Sequence, residues 1–101
     1  MRIIVLFDLP METSAEKRNY NRFRKGLIKD GFIMMQKSVY CKLAMNSSAA
    51  EVIIKGVHKI RPSSGVVQIL SITENQFQKI QYIVGNKESN IIDSTERMLV
   101  I

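Results

Sequence analysis

The chain has 101 residues, 46% of them hydrophobic, with one cysteine and one histidine, and its 15 Lys and Arg outweigh 9 Asp and Glu for a net charge of +6. Such a length and apolar share fit one globular domain over 1–101 and exclude a disordered chain; a lone cysteine excludes an internal disulfide and, beside one histidine, a zinc site. No apolar run reaches the roughly 18 residues of a membrane span and the opening is too short and wrongly flanked for a signal peptide, so we expect a cytoplasmic protein, off the membrane, with a polyanionic partner.

"RIIVLFD" (2–8) reads as a strand in which Ile3, Val5 and Phe7 face one way and Ile4, Leu6 and Asp8 the other. Asp8 is the one charge at its end, open to readings as a metal ligand, a proton-transfer group, a helix cap, a carboxylate bonded to the next turn or a plainly solvent-exposed side chain. Pro10 keeps Leu9 out of helix. "TSAE" is a capping box with Thr13 as N-cap and Glu16 three residues on, so a helix should run over about 14–29 and stop at Asp30-Gly31. "FIMMQKSVYCKL" predicts one long strand or two with a bulge. A second helix, capped by Ser48 with Glu51, should run to about Ile60 and break at Pro62 and Gly65. "VVQILSIT" is the next strand, "ENQFQ" a polar turn, "KIQYIVG" a further strand, "NKESN" a loop and "RMLVI" a terminal strand.

The order, with short connections, predicts an α+β ferredoxin-like βαββαβ sandwich with an additional C-terminal strand and both helices on one face of the sheet. Both faces of the first strand are apolar, and two helices cover only one. A second copy packed sheet to sheet is therefore the expected partner, the alternative being a terminal segment folded back over that face.

The first helix carries the clearest chemical signal. At about 100° per residue, Arg18, Arg22, Lys25 and Lys29 share one flank, opposite a core stripe of Tyr20, Phe23 and Leu27. The basic flank holds no acid. It is either a solvated face or a track for nucleic-acid phosphates, and Lys37, Lys42, Lys55, Lys59 and Arg61 add to the second reading. The aromatic motif of RNA-recognition domains is absent. His58 reads as structural or half-exposed, Cys41 as core, and Ser38 and Tyr40 as sharing a strand face with Gln36 but with no general base in sight. There is no glycine-rich phosphate loop and no acid cluster with metal-ligand spacing.

"FDLP", "EKRNYNRFRKGL" and "DGFIMMQKSVYCKL" together resemble the CRISPR-associated Cas-two family, the small subunit of the spacer-acquisition machinery, and most of all its members that accompany Cas-nine systems. The resemblance spans essentially the whole chain, and Asp8, Gly31-Phe32, Gln36 and Ser38-Val39-Tyr40 carry it most specifically. Phe7 stands where many relatives have tyrosine. Membership implies a ferredoxin-like homodimer with facing sheets that bridges two dimers of the Cas-one integrase, with duplex DNA lying across the assembly. Some relatives are magnesium-dependent ribonucleases or deoxyribonucleases whose metal ligand matches Asp8; others need no such activity for spacer acquisition.

The favoured expectation is a non-catalytic DNA-holding scaffold, with Lys17, Arg18, Arg22, Lys25 and Arg61 as its rail by helical geometry. The alternative is an endonuclease in which Asp8 is catalytic and holds magnesium between two protomers, with Ser38 as an orienting group. A small-molecule regulatory domain is the third; it has no use for an acid-free basic flank, and no small-molecule substrate is expected.

Overall fold

The computed structural model of the protein describes residues 1–85. Along the chain run β1 (Arg2–Asp8), α1 (Ser14–Lys29), β2 (Ile33–Gln36), β3 (Val39–Leu43), α2 (Ser47–Lys59), β4 (Val66–Ile72) and α3 (Glu74–Gln78). The four strands form one antiparallel sheet in the order β2-β3-β1-β4, the ferredoxin-like arrangement. β1 is central. It pairs with β3 from Arg2↔Leu43 to Leu6↔Val39, and with β4 from Arg2↔Ile72 to Asp8↔Val66.

Strand alternation sorts the core as expected. Ile3, Val5 and Phe7 pack under α1 and α2 with Tyr20, Phe23, Leu27, Ala50 and Val57. Phe7 is the hub of this layer, edge-on to Phe23 at 5.0 Å, stacked with Tyr40 at 5.8 Å and tilted against Tyr20 at 5.5 Å. Such aromatic pairs add roughly 0.5–1.5 kcal/mol each beyond the area they bury.

α1 has the predicted limits. The Glu16 amide donates to the Thr13 hydroxyl at 3.1 Å, and the Thr13 and Glu12 amides donate to the Glu16 carboxylate at 3.0 and 2.9 Å. Those backbone donors hold the Glu16 carboxyl below the ordinary glutamate range. The helix ends at Asp30, followed by Gly31 at φ 96°.

Five expectations are corrected. The cap of α2 is Asn46, whose side chain accepts from the Ala49 amide at 2.8 Å, not Ser48 with Glu51. "FIMMQKSVYCKL" is neither one strand nor a bulged pair in line but the hairpin β2–β3, with an irregularity between Met34 and Gln36. Ser38 lies in the turn at φ 66° rather than on a strand face beside Tyr40, and its carbonyl accepts from the Phe7 amide at 3.0 Å. "ENQFQ" is the short helix α3, closed by a Thr73–Gln76 capping box. "KIQYIVG" is not a strand: the Lys79 and Ile80 amides are spent on Gln76 and Phe77 carbonyls at the end of α3, and residues 81–85 are exposed. The "NKESN" loop and the terminal strand "RMLVI" lie outside the described residues.

The other sheet face is half covered. Phe77 of α3 seats on Ile4 and Cys41, with Leu6, Met35, Val39 and Ile72 around it. Ile33, Leu43, Val66 and Leu70 stay exposed. Arg2 fastens this plug: its guanidinium grips the Glu74 carboxylate through both oxygens at 2.9–3.2 Å and lies 4.4 Å from the centre of the Phe77 ring. A five-residue helix has little stability of its own, so α3 stays down through the buried Phe77 ring, with the Arg2–Glu74 grip adding to it.

The hydrogen bonds from Arg2 hold the Glu74 carboxyl below the ordinary glutamate value. The resulting stability is complete above about pH 4.3 and is lost as pH falls through the depressed folded value. Glu74→Gln should therefore unfold at lower urea than wild type at pH 7, by about 0.5–1 kcal/mol for a half-exposed bidentate pair, with the gap closing toward pH 3. Parallel urea titrations at the two pH values check this.

Candidate functional site

Two regions hold the candidate residues. The first is the Asp8 end of β1. The strand's alternation turns Asp8 to the outer face, where it is exposed. An open depression of about 280 Å³ beside it is lined by Leu6, Phe7, Asp8, Lys37, Ser38, Val39, Val66 and Gln68. The Ser38 hydroxyl is tied to the Tyr20 hydroxyl at 3.0 Å, so the aromatic core fixes the position of that turn. Gly65 makes the junction. It sits at φ 91°, and a β-carbon there would lie 2.8 Å from the Asp8 carbonyl oxygen and 3.1 Å from the Leu9 α-carbon. The entry to β4 can press against the end of β1 only without a side chain at this point.

The described residues of one chain offer a single carboxylate here. Among the described residues no three His, Cys, Asp or Glu side chains gather to hold a metal ion. Divalent cations of the magnesium class take several oxygen ligands, so a site at Asp8 needs a second contributor.

The second region is the helical face. Lys17, Arg18, Arg22 and Lys25 are all exposed on α1. A groove of about 410 Å³ runs between α1 and the end of α2, lined by Asn19, Arg22, Phe23, Lys59, Ile60, Arg61, Pro62 and Ser63. Arg22 and Arg61, two members of the sequence-derived rail, both line it. Lys17, Arg18 and Lys25 lie outside it. None of the lining residues is acidic, and Arg61 is steadied by donating from Nη1 to the His58 carbonyl at 2.9 Å. The walls approach closely because α1 presents Gly26, where a β-carbon would come within 2.9 Å of Ile60 Cδ1.

The structure adds residues that sequence reasoning did not group with a site. Lys59, which the sequence offered only as a general addition to the positive charge, belongs with Arg22 and Arg61 in one groove. Gln68 and Lys37 join Asp8, a neighbourhood set by the Leu6↔Gln68 register and the β2–β3 turn, neither of which local sequence declares. His58 is exposed, and Cys41 is buried, with burial pushing its thiol up and leaving it unreactive. No helix among the described residues is long and apolar enough to cross a membrane.

The family model "CRISPR associated protein Cas2" matches residues 1–80. Two curated proteins named "CRISPR-associated endoribonuclease Cas2", from Treponema denticola and Ligilactobacillus salivarius, are 45% and 43% identical to the chain over 101 residues, covering all of it and all of themselves. The crystal structure of Streptococcus pyogenes Cas2 matches with a TM-score of 0.60 over 83% of this chain and 100% of its own, at 16% identity, which is a likeness of fold.

Gly65→Ala should cost about 1–3 kcal/mol, since backbone atoms cannot swing aside as a side-chain tip can. A fall in thermal midpoint of at least about 5 °C is expected by calorimetry, with the exposed neighbour Ser64→Ala within about 0.5 kcal/mol of wild type.

Proposed function

The chain belongs to the CRISPR-associated Cas2 family, and on that premise we propose that it is a DNA-holding, non-catalytic subunit of spacer acquisition. It acts as a sheet-to-sheet homodimer that bridges two dimers of the Cas-one integrase. The observation that carries this reading is the acid-free basic flank of α1, where Arg18, Arg22 and Lys25 are exposed in one row and Arg22 faces Arg61 across the groove. Cations spaced along a rigid helix neutralise backbone phosphates and release counterions, which gives strong binding without reading sequence. Lys17 and Arg61 extend the row. The dimer contact rests on the exposed apolar strip of Ile33, Leu43, Val66 and Leu70 that α3 leaves uncovered. A metabolite-binding domain accounts for neither feature.

The second reading is a magnesium-dependent endonuclease, favoured by the word endoribonuclease in the relatives' names and by the exposed Asp8 in its depression beside Ser38. In it, Asp8 and the same residue of a second copy would hold the ion, and the ion would supply Lewis acidity for phosphodiester hydrolysis. With one carboxylate there among the described residues of a chain, this is the weaker account.

The experiment is spacer integration in a purified mixture with the cognate integrase, comparing folded, dimeric wild type, Asp8→Asn and an Arg18→Gln/Arg22→Gln/Lys25→Gln variant. Asp8→Asn should integrate within about twofold of wild type, whereas the loss of three phosphate contacts should cost roughly tenfold or more. An Asp8→Asn that fails beside a charge variant that works would overturn the scaffold in favour of the metal site.

A further inference from the structure

The groove between α1 and α2 has a property that a row of cations along one helix lacks. Arg22 reaches it from α1, while Lys59 and Arg61 reach it from the end of α2 and the connection that follows, so three positive side chains from two directions line one hollow of about 410 Å³. The amide of Asn19 and the hydroxyl of Ser63 line the same hollow, and among the described residues no carboxylate does. Phe23, Ile60 and Pro62 complete its lining. Like charges gathered in this way repel one another unless an anion sits among them, and the pinned Arg61 guanidinium keeps further N–H donors for one.

We propose that this groove is a clamp for a single backbone phosphate of duplex DNA, with Arg22, Lys59 and Arg61 as its charged jaws and Asn19 and Ser63 as neutral hydrogen-bonding partners. The proposal rests on the DNA-holding reading and refines it: Arg18 and Lys25 each meet a phosphate of their own along α1, whereas the three groove cations share one. Sharing fixes the register of the duplex on the protein, because a phosphate held from two sides cannot slide along the row.

Counterion release distinguishes a shared phosphate from separate ones. The slope of log affinity against log salt counts phosphates neutralised, at about 0.9 for each on a duplex. Fluorescence anisotropy with a labelled duplex of random sequence, from 50 to 200 mM salt, is measured for wild type, Arg22→Gln/Lys59→Gln/Arg61→Gln and Lys59→Gln alone, each checked by circular dichroism. A clamp predicts that the triple variant loses about 0.9 of slope, so that wild-type affinity falls about 3.5-fold more than the variant's across the series. Lys59→Gln, an exposed single change, should weaken binding at every salt concentration while keeping nearly the wild-type slope. A triple-variant loss of about 2.7 in slope, or about 40-fold across the series, would mean three separate phosphates and overturn the clamp while leaving the DNA reading intact. Unchanged binding in Lys59→Gln and in the triple variant also overturns it. Wild type that fails to bind the duplex, or binds it without salt dependence, or prefers RNA of equal length, would overturn the DNA-holding reading itself.

Discussion

β1 is hydrogen-bonded along both edges and packed on both faces, and its register decides where every candidate group lies. Ile3, Val5 and Phe7 belong to the helical core, and Ile4 to the outer cluster with Cys41 and Phe77. A slip of one residue would exchange the two sets. Phe7 would then leave the aromatic cluster and Asp8 would enter it, placing an unpaired carboxylate among apolar rings at a cost of several kcal/mol. The exposed position of Asp8 is thus enforced by its neighbours in the strand rather than by any partner of its own.

From that frame the two faces of the sheet take different work. The helical face is closed by α1 and α2, whose outward flanks are then free to carry charge without disturbing the core. Among the described residues the outer face is finished by one short helix, held by the Arg2–Glu74 grip and the Phe77 plug, and the apolar strip beyond it is exposed. Charge and apolar surface are separated across the sheet, and the DNA-holding reading assigns nucleic acid to the first and a second copy to the second. Asp8 lies at the rim between them, on the apolar side, and the endonuclease reading therefore assigns its metal to two chains.

Most of the fold was legible in the sequence, because the strongest signals are local and mutually consistent. The Thr13–Glu16 box, the Asp30-Gly31 stop and the alternation of "RIIVLFD" each stand within a few residues. α3 was misread although "TENQ" is a capping box, since a turn was the simpler reading of five polar-rich residues. "KIQYIVG" was misread because its apolar content points to a strand, whereas the backbone donors at its start are consumed by the preceding helix. The sites were only half legible. Helical spacing placed Arg18, Arg22 and Lys25 on one flank, but the meeting of Arg22 with Lys59 and Arg61 depends on where the end of α2 and the connection after it pass α1, a relation between segments far apart in the chain. Gln68 and Lys37 reached Asp8 through sheet register and a hairpin turn, relations between segments far apart in the chain.

The central claim is that duplex DNA lies on the α1 side of the molecule and that the outer sheet face is occupied by protein. Site-specific photo-cross-linking tests it directly, with a benzophenone probe placed at Asn21, exposed on α1 one turn before Lys25, or at Leu70, exposed on the outer face. With a labelled duplex present, the account predicts a DNA adduct from position 21 and, from position 70, a cross-link only to a second copy of the chain. A DNA adduct from position 70, with position 21 silent, would contradict it.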